Sequence, residues 1–295
     1  MAQTTLRMAL LAAAEQLAAA DPLTLGTTAR RDAELLLLHL LGRDRAWLLA
    51  HADDLLPDAY AAPYAQRLAR RARQEPVQYI VGEQEFWGLK LRVTADVLIP
   101  RPETEHLVEA ALARLPKGLP ARIADIGTGS GAIALALATE RPEAQITALD
   151  QSPAALTVAR ENAQRHGVAG QIRFLTSDLL AAVSGERFTI IASNPPYIPS
   201  GEQLEAQVRD YEPHCALFAG EDGLAIYRRL IPEAWAALEP GGWLLLEIGH
   251  GQRDAVAALL SGCSGSDWFG IEFLPDLQGI PRVAVAQRPQ ATAGL

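Results

Sequence analysis

Cysteine is scarce in this 295-residue chain: Cys215 and Cys263 are its two, too few to staple so long a polypeptide. Neither these nor the six scattered histidines fall at zinc-ligand spacing, which argues against a metal centre. No stretch approaches the ~20 consecutive apolar residues that a membrane span needs. Positive charge is also short, with 26 basic against 35 acidic side chains and a net charge of −9. That balance disfavours a protein that grips nucleic acid mainly by neutralising phosphates. No internal repeat is visible. What is present is ordinary, 49% apolar and 21% charged, the usage of a globular chain of one large or two modest domains. The opening MAQTTLRMALLAAAEQLAAA sets Glu15 and Gln16 within its apolar stretch, so it reads as an amphipathic helix rather than a secretory leader. A reduced, cytoplasmic chain without membrane association is expected.

Charge is unevenly spread. Residues 1–75 carry nine basic and nine acidic side chains, so the whole deficit lies in the remainder. This first part is rich in Ala and Leu at helical spacing. Leu6, Leu10, Ala13 and Leu17 make one expected face, and Leu35, Leu36, Leu38 and Leu41 another. Breaks at Asp21-Pro22, Gly42, Pro57 and Pro63 divide it into four or five short helices, a small all-helical domain over 1–75. Over residues 76–100, β-formers on both sides of Gly82 and Gly88 predict a β-hairpin linker. Residues 101–295 then alternate strand and helix signals. The strand candidates are ARIADIG, AQITALD, QIRFLTSD, FTIIASN, GGWLLLEIG, GIEFLPD and RVAVAQR. Helices are expected at Ala132–Thr139, Pro153–His166 and Leu224–Leu238. The pattern predicts an α/β fold with a mostly parallel sheet covered on both faces. The short gap before the last strand predicts an antiparallel strand at the edge.

The first strand of that alternation runs into Asp125-Ile126-Gly127-Thr128-Gly129-Ser130-Gly131 and directly on into a helix. Glycines serve where backbone must approach a ligand or take positive φ, and the helix N-terminus is delivered to that ligand. Alone, such a loop is also a plain tight turn. Its spacing is G-x-G-x-G, not the G-x-G-x-x-G of dinucleotide binders, and no lysine follows as in a P-loop. Asp125, just before the loop, would repel a pyrophosphate and suits a cationic group. Asp150, 19 residues past Gly131 at the end of the next strand, is placed to accept from both hydroxyls of a ribose. A ligand with a ribose, no phosphate and a positive centre is S-adenosylmethionine. Asp178, after the third strand, either takes the adenine amino group or caps the following helix.

The fourth strand, FTIIAS, leads to Asn194-Pro195-Pro196-Tyr197. Ligands of such sheets lie beyond the carboxyl ends of the strands, so this turn is expected beside the glycine loop. Each proline fixes its own φ and removes a donor, leaving a stiff segment of carbonyls. A planar NH₂ group would donate one hydrogen to the Asn194 side chain and the other to the Pro195 carbonyl. Tyr197 would offer its ring face to the same planar group.

With these residues the chain resembles the class I S-adenosylmethionine-dependent methyltransferases, and among them the bacterial peptide chain release factor glutamine methyltransferases. The likeness spans nearly the whole chain. It rests on Glu85–Gly88, Ile99–Glu105, Gly127–Gly131, Asn194–Tyr197, Tyr211-Glu212-Pro213 and Leu217–Gly223. The resemblance implies a Rossmann-like methyltransferase sheet and methyl transfer from S-adenosylmethionine to the side-chain nitrogen of the glutamine in a Gly-Gly-Gln motif. S-adenosylhomocysteine is the product, and the helical domain helps grip the release factor. The implied catalytic residues are Asn194, Pro195 and Tyr197, with Pro196 completing the substrate site. Gly127, Thr128, Gly129, Ser130, Gly131, Asp150, Asp178, Leu179 and Asn194 are the implied cofactor contacts. Leu179 stands where some relatives place an aromatic beside the adenine. No metal, sequence-specific nucleic acid or membrane partner is expected, and the chain is read as a monomer. The sister family acting on a ribosomal protein glutamine shares the glycine loop and the Asn-Pro-Pro-Tyr turn, and Arg101–Glu105 favours the release factor reading over it. An adenine-N6 DNA methyltransferase would meet the same turn in the same way, but the acidic charge counts against it. The glycine spacing counts against an NAD-dependent oxidoreductase, and the intact turn against a bare binding module.

Other features stay open at this level. Arg67, Arg70, Arg71 and Arg73 form either a solvated helix face or a contact for an acidic partner or RNA. Glu103 and Thr104 either line the cleft or cap the next helix. Glu247 closes the fifth strand and approaches the site.

Overall fold

A computed structural model describes residues 4–20, 26–262 and 267–290; the Asp21-Pro22 break and Cys263 lie outside them. The chain forms two compact units, one from the chain up to Glu83 with Leu204–Tyr211, the other from Gln84–Gln203 and from Glu212 onward. Among the described residues no helix is long and apolar enough to cross a membrane.

The first unit begins with α1 (Leu6–Ala20), α2 (Gly26–Leu41), α3 (Arg45–Ala50), α4 (Asp58–Arg71) and α5 (Val77–Val81). Ala and Leu favour these helices, and burial of one face holds them together. Leu6, Ala13 and Leu17 are buried with Leu36, Leu37 and Leu38, while Leu10 and Leu41 pack at the margin. Leu35 departs from its expected stripe: at 100° per residue it turns to solvent, and Leu37 takes the inward place. Pro63 lies inside α4 instead of ending it. It forgoes a single i→i−4 bond in the second turn, while Tyr64 and Leu68 anchor the helix in the core. Tyr64 also donates to the Ala33 carbonyl at 2.9 Å.

The arginine group is no uniform solvated face. Arg71 is buried and paired with Asp32 at 2.7 Å, and Arg70 pairs with Glu75. Arg67 donates to the Leu36 carbonyl, and the Arg73 carbonyl accepts from Tyr211 at 2.6 Å. The extended backbone expected for Val77–Val81 is overturned. Pro76 precedes that helix and Gly82, at φ +79°, ends it in the left-handed conformation, the residue types that bracket a helix turn.

A hairpin follows, β1 (Glu83–Phe86) and β2 (Leu89–Arg92). Trp87 and Gly88 both take positive φ, as a two-residue type I′ turn requires. The second unit then runs α6 (Glu105–Arg114), β3 (Ala121–Ile126), α7 (Ala132–Glu140), β4 (Ala144–Asp150), α8 (Pro153–Arg165), β5 (Ile172–Thr176) and β6 (Phe188–Ser193). After α9 (Ala206–Arg209), which belongs to the first unit, come α10 (Ala225–Ala237), β7 (Leu238–Glu247), α11 (Arg253–Gly262), β8 (Phe269–Pro275) and β9 (Pro281–Gln287).

The seven strands are ordered β5-β4-β3-β6-β7-β9-β8. β9 runs antiparallel to both its neighbours, β7 and β8, so the expected antiparallel edge is the β9–β8 pair, with β8 outermost. The tight β8–β9 connection forces that reversal, because a parallel return needs a long crossover. One core, with α6 and α7, covers one face of the sheet; a second, with α10 and α11, covers the other. The chain leaves β3 first toward β4 and later resumes on the opposite side at β6. Ligands of doubly wound sheets bind at such a reversal.

Candidate active site

Strand register sets the site. Leu149, Ile126 and Ser193 are partners across β4, β3 and β6, and Ser193 pairs in turn with Leu246 of β7. The next residue on each strand, Asp150, Gly127, Asn194 and Glu247, therefore forms a single row along the carboxyl edge, with about 5 Å from strand to strand. Ser193 ties the two central strands further by donating to the Ile126 carbonyl at 2.7 Å. The glycine loop and the Asn-Pro-Pro-Tyr turn are thus immediate neighbours.

The loop is shaped by its glycines. Gly127, Gly129 and Gly131 all take positive φ. The amides of Gly127 and Thr128 both donate to the Leu149 carbonyl, at 2.8 and 3.0 Å. At Gly131 a Cβ would lie 2.6 Å from Leu135 Cδ1 and 3.2 Å from Ala159 Cβ, so that glycine serves helix packing. Gly127 and Gly129 line a cavity of about 290 Å³. Thr128, Ser130 and Gly131 are not on its wall, the first two being buried. Asp125 is not on the wall either. Fully buried, it accepts at Oδ2 from Thr128 Oγ1 (2.6 Å) and the Ala134 amide (3.2 Å), while Oδ1 has no partner. Burial drives its pKa up to about 7 despite those hydrogen bonds, and neighbouring Asp150 adds to the rise.

Asp150 is on the wall. Its carboxylate accepts from the Gly129 and Ser152 amides, both at 2.9 Å, which orients it and leaves lone pairs toward the cavity. Burial raises its pKa, opposed by those amides. Leu179 and Asp178 also line the cavity. Leu179 takes φ +47°, a conformation that apolar residues seldom adopt, with its carbonyl held by Ser177 Oγ at 2.8 Å. Asp178 caps no helix; it is exposed and paired with Arg229 at 2.7 Å.

Asn194, Pro195 and Pro196 complete the wall on the other side. Asn194 Nδ2 donates to Thr104 Oγ1 at 3.1 Å, and Thr104 Oγ1 donates to Glu247 Oε2 at 2.6 Å. Thr104 therefore neither caps α6 through its side chain nor stands free. Tyr197 is not on the wall. Its ring packs into the second core, with the hydroxyl 3.5 Å from Glu247 Oε1, and burial and that carboxylate raise its pKa. The strand exit is braced from outside: the Ile198 amide donates to the Leu217 carbonyl and the Ala219 amide to the Ile198 carbonyl, both at 2.9 Å. The Tyr197 carbonyl accepts from Gln252 Nε2 at 2.9 Å. Gly223, at φ +73°, has room for no Cβ, since one would sit 2.2 Å from that same carbonyl oxygen. Sequence reasoning missed Gln252 and Arg229, which carry no local signal; Gly223 at least lay within the segment Leu217–Gly223.

Known proteins resemble this chain over most of its length. The family model described as PrmC N-terminal domain matches residues 9–82, and that described as Methyltransferase small domain matches residues 105–210. The chain is 45% identical over 288 residues to the release factor glutamine methyltransferase of Koribacter versatilis, covering 97% of this chain and 99% of that one. It is 48% identical over 285 residues to that of Cereibacter sphaeroides, covering 96% and 98%. A methyltransferase crystal structure from Pyrococcus furiosus shares the fold, with TM-score 0.52 and 18% identity over 76% of this chain and 99% of that one. The chain belongs to the release factor glutamine methyltransferase family.

Proposed function

We propose that this protein methylates the side-chain amide nitrogen of the glutamine in the Gly-Gly-Gln motif of a peptide chain release factor, with S-adenosylmethionine as donor. The observation that carries this reading is the shared row of Asp150, Gly127 and Asn194 at the strand reversal. It sets a carboxylate suited to a ribose and an amide acceptor two strand spacings apart, about 10 Å, on either side of the glycine loop. The cavity suits an adenosine: apolar Leu149, Leu179 and Phe218 flank polar Asp150 and Asp178. The backbone at Gly127 and Gly129 lines the cavity and can be approached closely. Asp150 would hold the ribose hydroxyls, and Leu179 with Asp178 the adenine. When bound, S-adenosylmethionine supplies an electrophilic methyl on a sulfonium.

The protein's own task is to make a poor nucleophile react. An amide lone pair is delocalised into its carbonyl, so the nitrogen must be aimed and positive charge on it stabilised. Asn194 Oδ1 and the Pro195 carbonyl accept the two N–H bonds of the substrate, while the prolines keep the turn rigid. The proton leaves to water after transfer. Residues 1–75 serve as the substrate-recognition domain, 76–100 as the linker and 101–295 as the catalytic domain of a cytoplasmic monomer.

The test is transfer of labelled methyl from S-adenosylmethionine to a purified release factor. The expected result is label on the wild-type factor and none on one whose Gly-Gly-Gln glutamine is replaced by glutamate. Label instead on a ribosomal protein or on duplex DNA would move the assignment to the corresponding rival.

A further inference from the structure

Behind Asn194 lies a hydrogen-bonded chain that the amide chemistry above does not touch. Asn194 Nδ2, Thr104 Oγ1 and Glu247 Oε2 follow one another at 3.1 and 2.6 Å. Thr104 and Glu247 are 4% and 2% exposed, so water does not compete for these bonds. The backbone oxygen of Glu247 accepts from Tyr227 at 2.8 Å, which pins the strand end itself. The polarity of the chain follows from counting protons. A carboxylate is acceptor-only, and a threonine hydroxyl has one proton. With Glu247 ionised, that proton goes to Glu247, and Oγ1 can only accept from Asn194. The amide NH₂ must then face Thr104, and Oδ1 must face away from it, as an acceptor.

We infer that Thr104 and Glu247 are positioning residues that fix which way the Asn194 amide is flipped, and so present Oδ1 rather than NH₂ to the substrate nitrogen. The inference rests on the amide-methylation reading. A flipped Asn194 would confront the substrate NH₂ with another NH₂, donor against donor, and the acceptor that orients the nucleophile would be lost. Thr104 reaches the site from the turn before α6 and Glu247 from β7, so two distant segments set one side-chain orientation.

The same chain implies a pH response. Burial pushes the Glu247 carboxyl up to about 7; Glu103 pushes the same way, while the Thr104 hydrogen bond, Arg282 and Tyr197 hold it down. Tyr227 from α10 and Arg101, through Tyr197, complete the polar groups around it. Protonated Glu247 can donate to Thr104, whose hydroxyl then turns toward Asn194 and favours the flipped amide. The ionised form is the productive one, so kcat falls as pH drops through about 7.

The experiment compares wild type with Thr104→Val, Thr104→Ser and Glu247→Gln, using full-length protein and purified release factor. Thr104→Val keeps the side-chain shape and removes the hydroxyl. It should lower kcat about ten- to a hundredfold, with release factor KM and S-adenosylhomocysteine affinity by calorimetry within about twofold. Thr104→Ser restores the hydroxyl and should recover most of kcat. Glu247→Gln should lose the acidic limb of the wild-type profile. Independently of turnover, the ¹⁵N side-chain resonance of Asn194, assigned by its loss in Asn194→Asp, should titrate near pH 7 in wild type and not in Glu247→Gln. Wild-type kcat in Thr104→Val, a Thr104→Ser protein as impaired as Thr104→Val, or a limb that survives Glu247→Gln overturns the inference. A wild-type protein that leaves the glutamine unmethylated instead overturns the functional reading on which it rests.

Discussion

Replacing Gly223 by alanine isolates one mechanical claim, that the Tyr197 carbonyl is clamped from outside so that Asn194 stays aimed. Gly223 stands at φ +73°, where an L-residue costs about 1–2 kcal/mol, and its Cβ would lie 2.2 Å from the Tyr197 oxygen and 3.1 Å from its carbon. No rotamer relieves a clash with main chain. Either the turn or the Gly223 segment must move by about 1 Å, and a displacement of that size in a positioned group costs about a hundredfold in rate. Gln252 Nε2, 2.8 Å from the new Cβ, must also give up its bond to that carbonyl, for about another 1 kcal/mol. Gly185→Ala is the matched control: φ is +85° but nothing lies within 4 Å, so only the backbone penalty applies. Differential scanning calorimetry should show Gly223→Ala losing about 3 kcal/mol, roughly 5–10 °C in Tm, and Gly185→Ala only the backbone share of about 1–2 kcal/mol. Methyl transfer at saturating substrates should fall at least about tenfold in Gly223→Ala alone, with S-adenosylhomocysteine affinity little changed. Equal melting and undiminished kcat in the two variants would refute the clamp.

Further outcomes are expected from the same geometry. Asn194→Ala should lower turnover at least about a hundredfold with little effect on cofactor affinity, read by kcat and by calorimetry. Asp150→Ala should weaken S-adenosylmethionine binding about ten- to a hundredfold, since it removes charge-assisted acceptors while stranding the Gly129 and Ser152 amides. In the helical unit, Arg71→Ala leaves Asp32 buried without its partner and should cost about 3–5 kcal/mol by urea denaturation. Removing both charges together should cost less than the sum of the single losses.

Much of this protein is written locally in its residues. Glycine admits the positive φ that other residues avoid and proline fixes its own φ, so the turn through Gly127–Gly131 and the stiff exit at Asn194–Tyr197 were legible in the sequence. Short apolar runs between turn and helix signals likewise marked the seven strands of the main sheet, the central ones being buried almost throughout. Two local readings failed where context outweighed propensity. The stretch Val77–Val81, rich in β-formers, became a helix between Pro76 and Gly82, and Pro63 was carried inside α4 by the burial of Tyr64 and Leu68.

Tertiary structure alone decided which side chains meet. Thr104 and Glu247 are 143 residues apart and touch only because β6 and β7 pair in a register that sets Glu247 beside Asn194. Asp178 found Arg229 rather than a helix end, Arg71 turned inward to Asp32, and Gln252 closed on the Tyr197 carbonyl. Short-range rules specify what each segment can be, since they act through the φ and ψ of a few neighbouring residues. Strand order and register bring together groups far apart along the chain, and those groups hold the reactive amide in place.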